Sequence, residues 1–331
     1  MSYTRIDEED GLEPAESVTP LQAKDPSIAP QAKYGFNTRR THWLIPVAAG
    51  TVMCLFGYEQ GVFGGIIVGH EFQEYFHHPS PSLTGFVTSV YDLGCFVGAL
   101  FTLLVGEWLG RKRMLIVFTV IMTSGIFLQT VAHSMNHLIW GRFIAGIGNG
   151  GNTATAPVWH VETSHDHAKG QAVVREMVVN VLGFVLSNGI TLGFSRLNTE
   201  AQWRFPLGIQ LIFSAIILIL VPCLPESPRW LLARGQDAEA KTVLARLSEE
   251  NVEAEFTGIR DAVREEQAVQ ASWAQIFRGG LATRRLLLGM LLQIWYVKQS
   301  LVALPNTYHI PDYYKLCHRT PWLSMSLFCL D

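Results

Sequence analysis

Charge is scarce in this chain of 331 residues: Asp, Glu, Lys and Arg make up 16% of it, where a soluble domain carries about 25%. The charges that remain are confined to short stretches between long uncharged blocks, which argues against an ordinary soluble domain. Cysteine is equally sparse. Its five positions, Cys54, Cys95, Cys223, Cys317 and Cys329, include no pair at metal-ligand spacing, and Cys54 and Cys95 fall inside apolar runs. Neither a metal site nor a disulfide framework is expected. The first 40 residues contain no apolar h-region, so no cleavable signal peptide is expected there. That stretch opens acidic, "RIDEEDGLEPAE", turns rich in Pro, Ala and Ser, and reads as a disordered tail. A net charge of −3 gives no sign of a nucleic-acid partner.

What is abundant is apolar sequence, 49% of residues. A membrane helix needs about 20 apolar residues, and the chain offers six such blocks, near residues 44–69, 84–105, 114–132, 138–160, 172–194 and 205–222. The expected fold class is therefore an all-α, multi-spanning membrane protein. Loops 70–83 and 133–137 hold no Lys or Arg, whereas the alternate loops hold Arg111, Lys112, Arg113 and Lys169, and Arg39 and Arg40 precede the first span. The positive-inside rule then puts the N-terminus in the cytosol, against the weaker vote of Arg196 and Arg204. The expected organisation is a tail over 1–42, a six-helix bundle over 43–222 and a polar linker over 223–284. In that linker Ala240, Val243, Leu244 and Leu247 line one face of a charged helix. A seventh apolar run starts at 285–295, and a tail broken by Pro305, Pro311 and Pro321 follows over 296–331.

Two ionisable residues stand out against this background. Residues 53–69, "MCLFGYEQGVFGGIIVG", carry Glu59 near the middle, and "WGRFIAGIGNGG" sets Arg142 a turn or so into the fourth block. A charge at the centre of a membrane helix costs about 2.5 to 3.5 kcal/mol on insertion scales. A Glu and an Arg on different helices offset one another as a pair. Such a pair either fixes helix packing statically or couples proton movement, the carboxylate staying charged beside the guanidinium and taking a proton when the helices part. Asp92, Arg175 and Glu176 are the few other ionisable groups within the spans.

Other motifs carry less chemistry. "GIGNGG", residues 146–151, lacks the strand a dinucleotide loop needs, and Gly146 and Gly150 at a spacing of four instead permit close helix packing. "HDH", residues 165–167, offers two loop histidines without further ligands, a solvated pattern more than a metal site. Three inner loops repeat one formula, an acid near a helix end and then a cation: "GEWLGRKRM", "PVWHVETSHDHAKG" and "PESPRW". Each alone reads as snorkelling charge. Together they suggest a cytosolic charge network that locks one conformation, with cations meeting helix C-termini.

These stretches together resemble the sugar porter family of the major facilitator superfamily, in its fungal type. "GYEQGVFGG" is similar to the first-helix signature, "GEWLGRKR" to the loop between helices 2 and 3, and "GRFIAGIGNGG" with "PVWHVE" to the helix 4 signature. "PESPRWLLARGQDAEAKTVLARL" is similar to the hallmark after helix 6. The resemblance covers about residues 42–295 and implies the N-terminal six-helix half of a major facilitator fold plus a cytosolic helical linker. It implies that Glu59, where the family has Asp, pairs with Arg142 in proton coupling. Phe56, Met177, Asn180 and Asn188 fall at substrate-facing positions, Met177 standing where the family has a glutamine. Glu107, Gly110, Arg111, Lys112, Glu162, Lys169, Glu226 and Arg229 match the intracellular gate, with Lys169 in place of the usual Arg. Beyond "LLQIW" the sequence leaves the family pattern near Tyr296.

The implied function is proton-coupled symport of a sugar or polyol across a lipid bilayer by alternating access, with the proton gradient in place of any cofactor. The expected location is the plasma membrane. The alternative is a truncated, non-transporting membrane protein, sensor-like or regulatory. An enzyme is not expected, since no nucleophile–base set or cofactor loop is present.

Overall fold

The computed structural model describes residues 38–164, 169–247 and 252–268, together with residues 284, 287, 288 and 291. The tail over 1–37, the "HDH" triplet and nearly all of the chain from residue 269 onward lie outside the described residues. Among those described, every regular element is helical. Residues up to Arg264 form one compact unit; in the second, the described positions 284, 287, 288 and 291 are helical with exposed side chains.

Six long helices correspond to the six apolar blocks: α1 (Thr38–Ile67), α3 (Pro81–Leu109), α4 (Arg111–Thr130), α5 (Met135–Glu162), α6 (Lys169–Phe194) and α7 (Ala201–Leu220). A short helix, α2 (His70–Tyr75), occupies the first outer loop. Past α7 come α8 (Pro228–Ala233), α9 (Asp237–Leu247) and α10 (Val252–Ala268). Local chemistry sets several boundaries. Ser80, Ser134 and Ser227 cap α3, α5 and α8 by accepting from the third residue onward. α1 starts at Thr38, inside the stretch read as tail, and α7 starts at Ala201, taking in Arg204 from the loop.

Four long helices, α3, α4, α6 and α7 with its following turn, are long and apolar enough to cross a membrane by composition; α1 and α5 run for 30 and 28 residues. α5 lies against α3 and α4, and α1 against α6, in the tightest helix pairs of the bundle. Half of α5's residues are buried, so less of its surface has to satisfy hydrocarbon. The α3–α5 seam is closed by glycine. A Cβ on Gly94 or Gly98 would overlap the backbone of α5, and one on Gly146 or Gly150 would overlap the backbone of α3. The outer helices present Phe96, Leu103, Leu104, Val181, Leu182 and Ile219 outward, an apolar exterior suited to lipid.

The buried side chains form two clusters. One joins Leu55, Leu115, Met122 and Trp159 of the spans to Leu231, Val243, Leu244 and Phe256 of the linker helices. In α9 the apolar face is Ala240, Val243, Leu244 and Leu247, all buried. The other cluster packs Tyr58, Phe63, Phe72, Phe76 and Trp203 at the opposite end. Leu55 belongs to the first and Tyr58 to the second, so the next residue, Glu59, sits where the two meet.

Candidate functional site

Glu59 on α1 and Arg142 on α5 point at each other. Arg142 Nη1 donates to Glu59 Oε2 at 3.2 Å, and the two side chains are 0% and 3% exposed. The guanidinium is sandwiched by rings, 4.0 Å from the Phe63 centroid and 4.5 Å from that of Tyr91. Tyr91 is held by Asn149, whose amide donates to its hydroxyl. The neighbouring Tyr58 ties α1 to α7 by donating to the Pro206 carbonyl at 2.9 Å. Gln210 of α7 lies beside the carboxylate, with neither amide atom in a well-formed hydrogen bond.

Glu59 Oε1 and Arg142 Nε make no well-formed hydrogen bond among the described residues, and the Gln210 amide stands next to the carboxylate. The two ions are held to each other by a single hydrogen bond between two different helices.

Two of the proposed substrate positions, Asn180 and Asn188, lie along the α1–α6 seam. Asn180 donates to the Met53 carbonyl of α1 at 3.2 Å. Asn188 donates to the Phe184 carbonyl of its own helix at 2.8 Å and flanks Gly61 of α1. Each keeps its side-chain oxygen as an acceptor for a hydroxyl. Phe56 is half-buried on α1, and Met177 is 56% exposed.

At the far end, the acid-and-cation loops do assemble. Arg111 at the start of α4 grips Glu162 at the end of α5 with two parallel bonds of 3.1 Å. Glu226 Oε1 accepts from the Lys112 and Ser227 backbone N–H groups at 3.0 and 3.1 Å, capping α4. Burial pushes the Glu226 carboxyl above the ordinary carboxylate range, against these hydrogen bonds and the charge of Arg111. Gly110 makes this approach possible: its φ is +83°, and a Cβ there would stand 2.7 Å from Glu226 Oε2. Lys112 Nζ reaches the Pro222 carbonyl at 2.7 Å. Lys169 opens α6 and Arg229 sits half-buried in α8.

Glu107 enters the network differently from the expectation. Its carbonyl accepts from Trp230 Nε1 at 2.8 Å and Arg234 Nη2 at 3.2 Å, while its side chain is exposed. The reason is its place in the last turn of α3, where free carbonyls attract donors. Arg234 was not foreseen in this role.

Sequence reasoning also missed a second buried acid–base pair. His160 of α5 and Glu176 of α6 meet at 2.7 Å between Nδ1 and Oε1, with side chains 2% and 3% exposed. The available signal was Glu176 itself, an ionisable residue in an apolar block with no stated partner.

Comparison with known proteins agrees with this architecture. The family model described as "Sugar (and other) transporter" matches residues 44–299. The MFS-type transporter oryC of Aspergillus oryzae is 41% identical over 261 residues, which are 75% of this chain and 48% of that protein. The sugar transporter STL1 of Saccharomyces cerevisiae is 32% identical over 271 residues, 76% of this chain and 48% of that protein. The chain thus spans about half the length of these relatives. Among solved structures, the xylose transporter XylE of E. coli in a partially occluded inward-open conformation superposes with a TM-score of 0.60 at 20% identity, covering 68% of this chain and 59% of that one. The relatives are transporters and not enzymes, and the shared fold is that of an integral, multi-pass membrane protein. The chain belongs to the sugar transporter family of the major facilitator superfamily.

Proposed function

We propose that this chain supplies the proton-coupling half of a secondary transporter that carries a sugar or polyol together with a proton by alternating access. The observation that carries this reading is the buried Glu59–Arg142 pair, an acid and a cation brought together from two different helices. With the guanidinium in contact, Glu59 is a charged acceptor. When α1 and α5 separate, the same carboxyl is left in an apolar setting, and neutralisation by a proton relieves the cost of a lone buried charge.

The sugar class is supported by the relatives' names, which include sugar transporter STL1 and the low-affinity glucose transporter HXT1 of yeast. Asn180 and Asn188 offer carbonyl oxygens to substrate hydroxyls, and Phe56 an apolar surface to a ring face. Transporter sites of this kind lie near the midplane, and Asn180 packs against Gly57, two residues before Glu59 on α1. The Arg111–Glu162 bridge and the Glu226 cap form the gate on the cytosolic side, where the positive-inside rule also puts the N-terminus, in the plasma membrane.

The test is uptake of labelled hexoses, pentoses and polyols in cells that lack sugar transport, expressing the full chain, with and without a proton gradient. Gradient-dependent uptake that Glu59→Gln abolishes supports the reading. Uptake indifferent to the gradient removes the symport claim, and no uptake of any substrate favours a non-transporting membrane protein.

A further inference from the structure

The His160–Glu176 pair has the composition of a proton site, and its placement relates it to Glu59. Arg142 and His160 are 18 residues apart on α5, about five helical turns and 27 Å, so they lie on one stripe of that helix. Asn149 and Thr153 fall on the same stripe between them. Asn149 is buried with Oδ1 unpartnered among the described residues, and Thr153 turns its hydroxyl to the Asn149 and Gly150 carbonyls. α5 therefore carries a buried base near each end, each facing an acid from the α1–α6 side of the bundle, with polar groups in between.

The pair is poorly designed as a mere tie. His160 Nδ1 shares a proton with Glu176 Oε1, but His160 Nε2 is buried and has no partner among the described residues. Leaving such a nitrogen unsatisfied costs about 1 to 3 kcal/mol, which a serine or asparagine at this position would avoid. The charged groups on the neighbouring elements are otherwise engaged or outward. Glu162 is held by Arg111 of α4, Glu226 by backbone N–H groups, Lys112 by the Pro222 carbonyl, and Arg175 turns to the Gln171 carbonyl. Lys169 lies two turns before Glu176, at the start of α6.

We propose that His160 and Glu176 form a second proton-binding site, which takes the proton released by Glu59 and passes it toward the gate end of α5. The step balances without any other reactant. A proton arrives at Nε2, the Nδ1 proton moves to Glu176 Oε1, and the imidazole stays neutral with its tautomer exchanged. Unloading reverses the transfer. The loaded pair is neutral and the empty pair carries one negative charge, so a single proton is stored. This inference rests on the proton-coupling reading of Glu59.

The experiment uses the full chain reconstituted in lipid and infrared difference spectroscopy of protonated carboxyl groups as pH is stepped. Glu176→Gln is expected to remove one titrating carboxyl band and Glu59→Gln a different one. His160→Gln, which can still donate to Glu176, is expected to slow deprotonation of Glu59 after a base jump by roughly a hundredfold, the scale of a general acid–base group. A Glu176→Gln spectrum identical to the parent, with the Glu59-sensitive band intact, overturns the second site and leaves the coupling reading standing. A Glu176-sensitive band without a Glu59-sensitive one supports the site and removes the coupling reading. Unchanged Glu59 kinetics in His160→Gln overturns the relay. If His160→Gln does not assemble, the Glu176→Gln band alone decides.

Discussion

Replacing Arg142 with methionine gives the sharpest test of the buried pair, because the expected loss can be worked out. The substitution keeps an unbranched apolar stem between the Phe63 and Tyr91 rings and removes only the charge and its donors. Glu59, 0% exposed, then has two choices: remain an uncompensated carboxylate or take a proton. Drawing a proton onto a glutamate of ordinary pKa near 4.3 at pH 7 costs about 3.7 kcal/mol at 1.36 kcal/mol per unit. That sets a ceiling close to the 3 to 5 kcal/mol seen when one partner of a buried ion pair is removed. The sign follows from proton counting. The folded variant binds one more proton than its unfolded chain above pH 4.3, so its stability falls as pH rises, by about 1.4 kcal/mol per unit. Near pH 5 most of the defect is gone. Equilibrium unfolding of the full chain in detergent, for Arg142→Met alone and with Glu59→Gln, measures this directly. The double variant has no charge to neutralise and should recover a large part of the loss and the pH slope with it. A single variant destabilised by less than about 1 kcal/mol at pH 7, or additive losses in the double, would refute the argument that the pair shares one buried charge environment.

Three further outcomes follow from the helix packing and from the contacts around Glu226. Gly150→Val drives a branched side chain into the Cys95 backbone on α3, and a loss of at least about 1 to 3 kcal/mol is expected in the same unfolding assay; retained stability would mean that the α3–α5 seam is looser than drawn. Gly110→Ala combines a φ of +83° with a Cβ 2.7 Å from Glu226 Oε2, so about 1 to 3 kcal/mol of strain is expected, and hydrogen exchange at the start of α4 should quicken. Glu226 has its pKa raised by burial, so the fold binds the extra proton and this group's contribution to stability declines as pH rises from about 4.3 through the raised value. Glu226→Gln should flatten that part of the pH–stability curve, and an unchanged slope would count against the burial argument.

Much of the bundle was legible because hydrocarbon imposes a simple rule on sequence: each of the six apolar blocks became a long helix. Gly146 and Gly150 could be read as packing residues from spacing alone. The Glu59–Arg142 contact was inferable from cost, since two isolated charges in lipid need each other. Its surroundings were not, because Tyr91, Asn149 and Gln210 are unremarkable residues until the fold brings α3 and α7 to the pair. His160 was hidden for a related reason. It sits in the last turn of its helix, where a histidine reads as an end charge, and only the crossing of α5 and α6 shows it to be buried. Glu107 misled in the opposite sense: its type suggested charge, while its position in the last turn of α3 made its carbonyl the useful group.

Buried ionisable and polar groups are gathered on α1 and α5, which hold Glu59, Arg142, Asn149 and His160. Their polar groups are tolerated because neighbouring helices, not lipid, surround them. A helix face shielded from lipid can host ionisable residues at the cost of needing partners on its neighbours. The same arrangement makes those partners sensitive to small shifts, since α1 and α5 touch each other less than each touches its main neighbour, α6 for one and α3 or α4 for the other. Separation of α1 with α6 from α5 with α3 and α4 would break both buried acid–base pairs at once, because each pair spans that one division, and would also open the apolar cluster that joins Leu55 to Leu115, Met122 and Trp159.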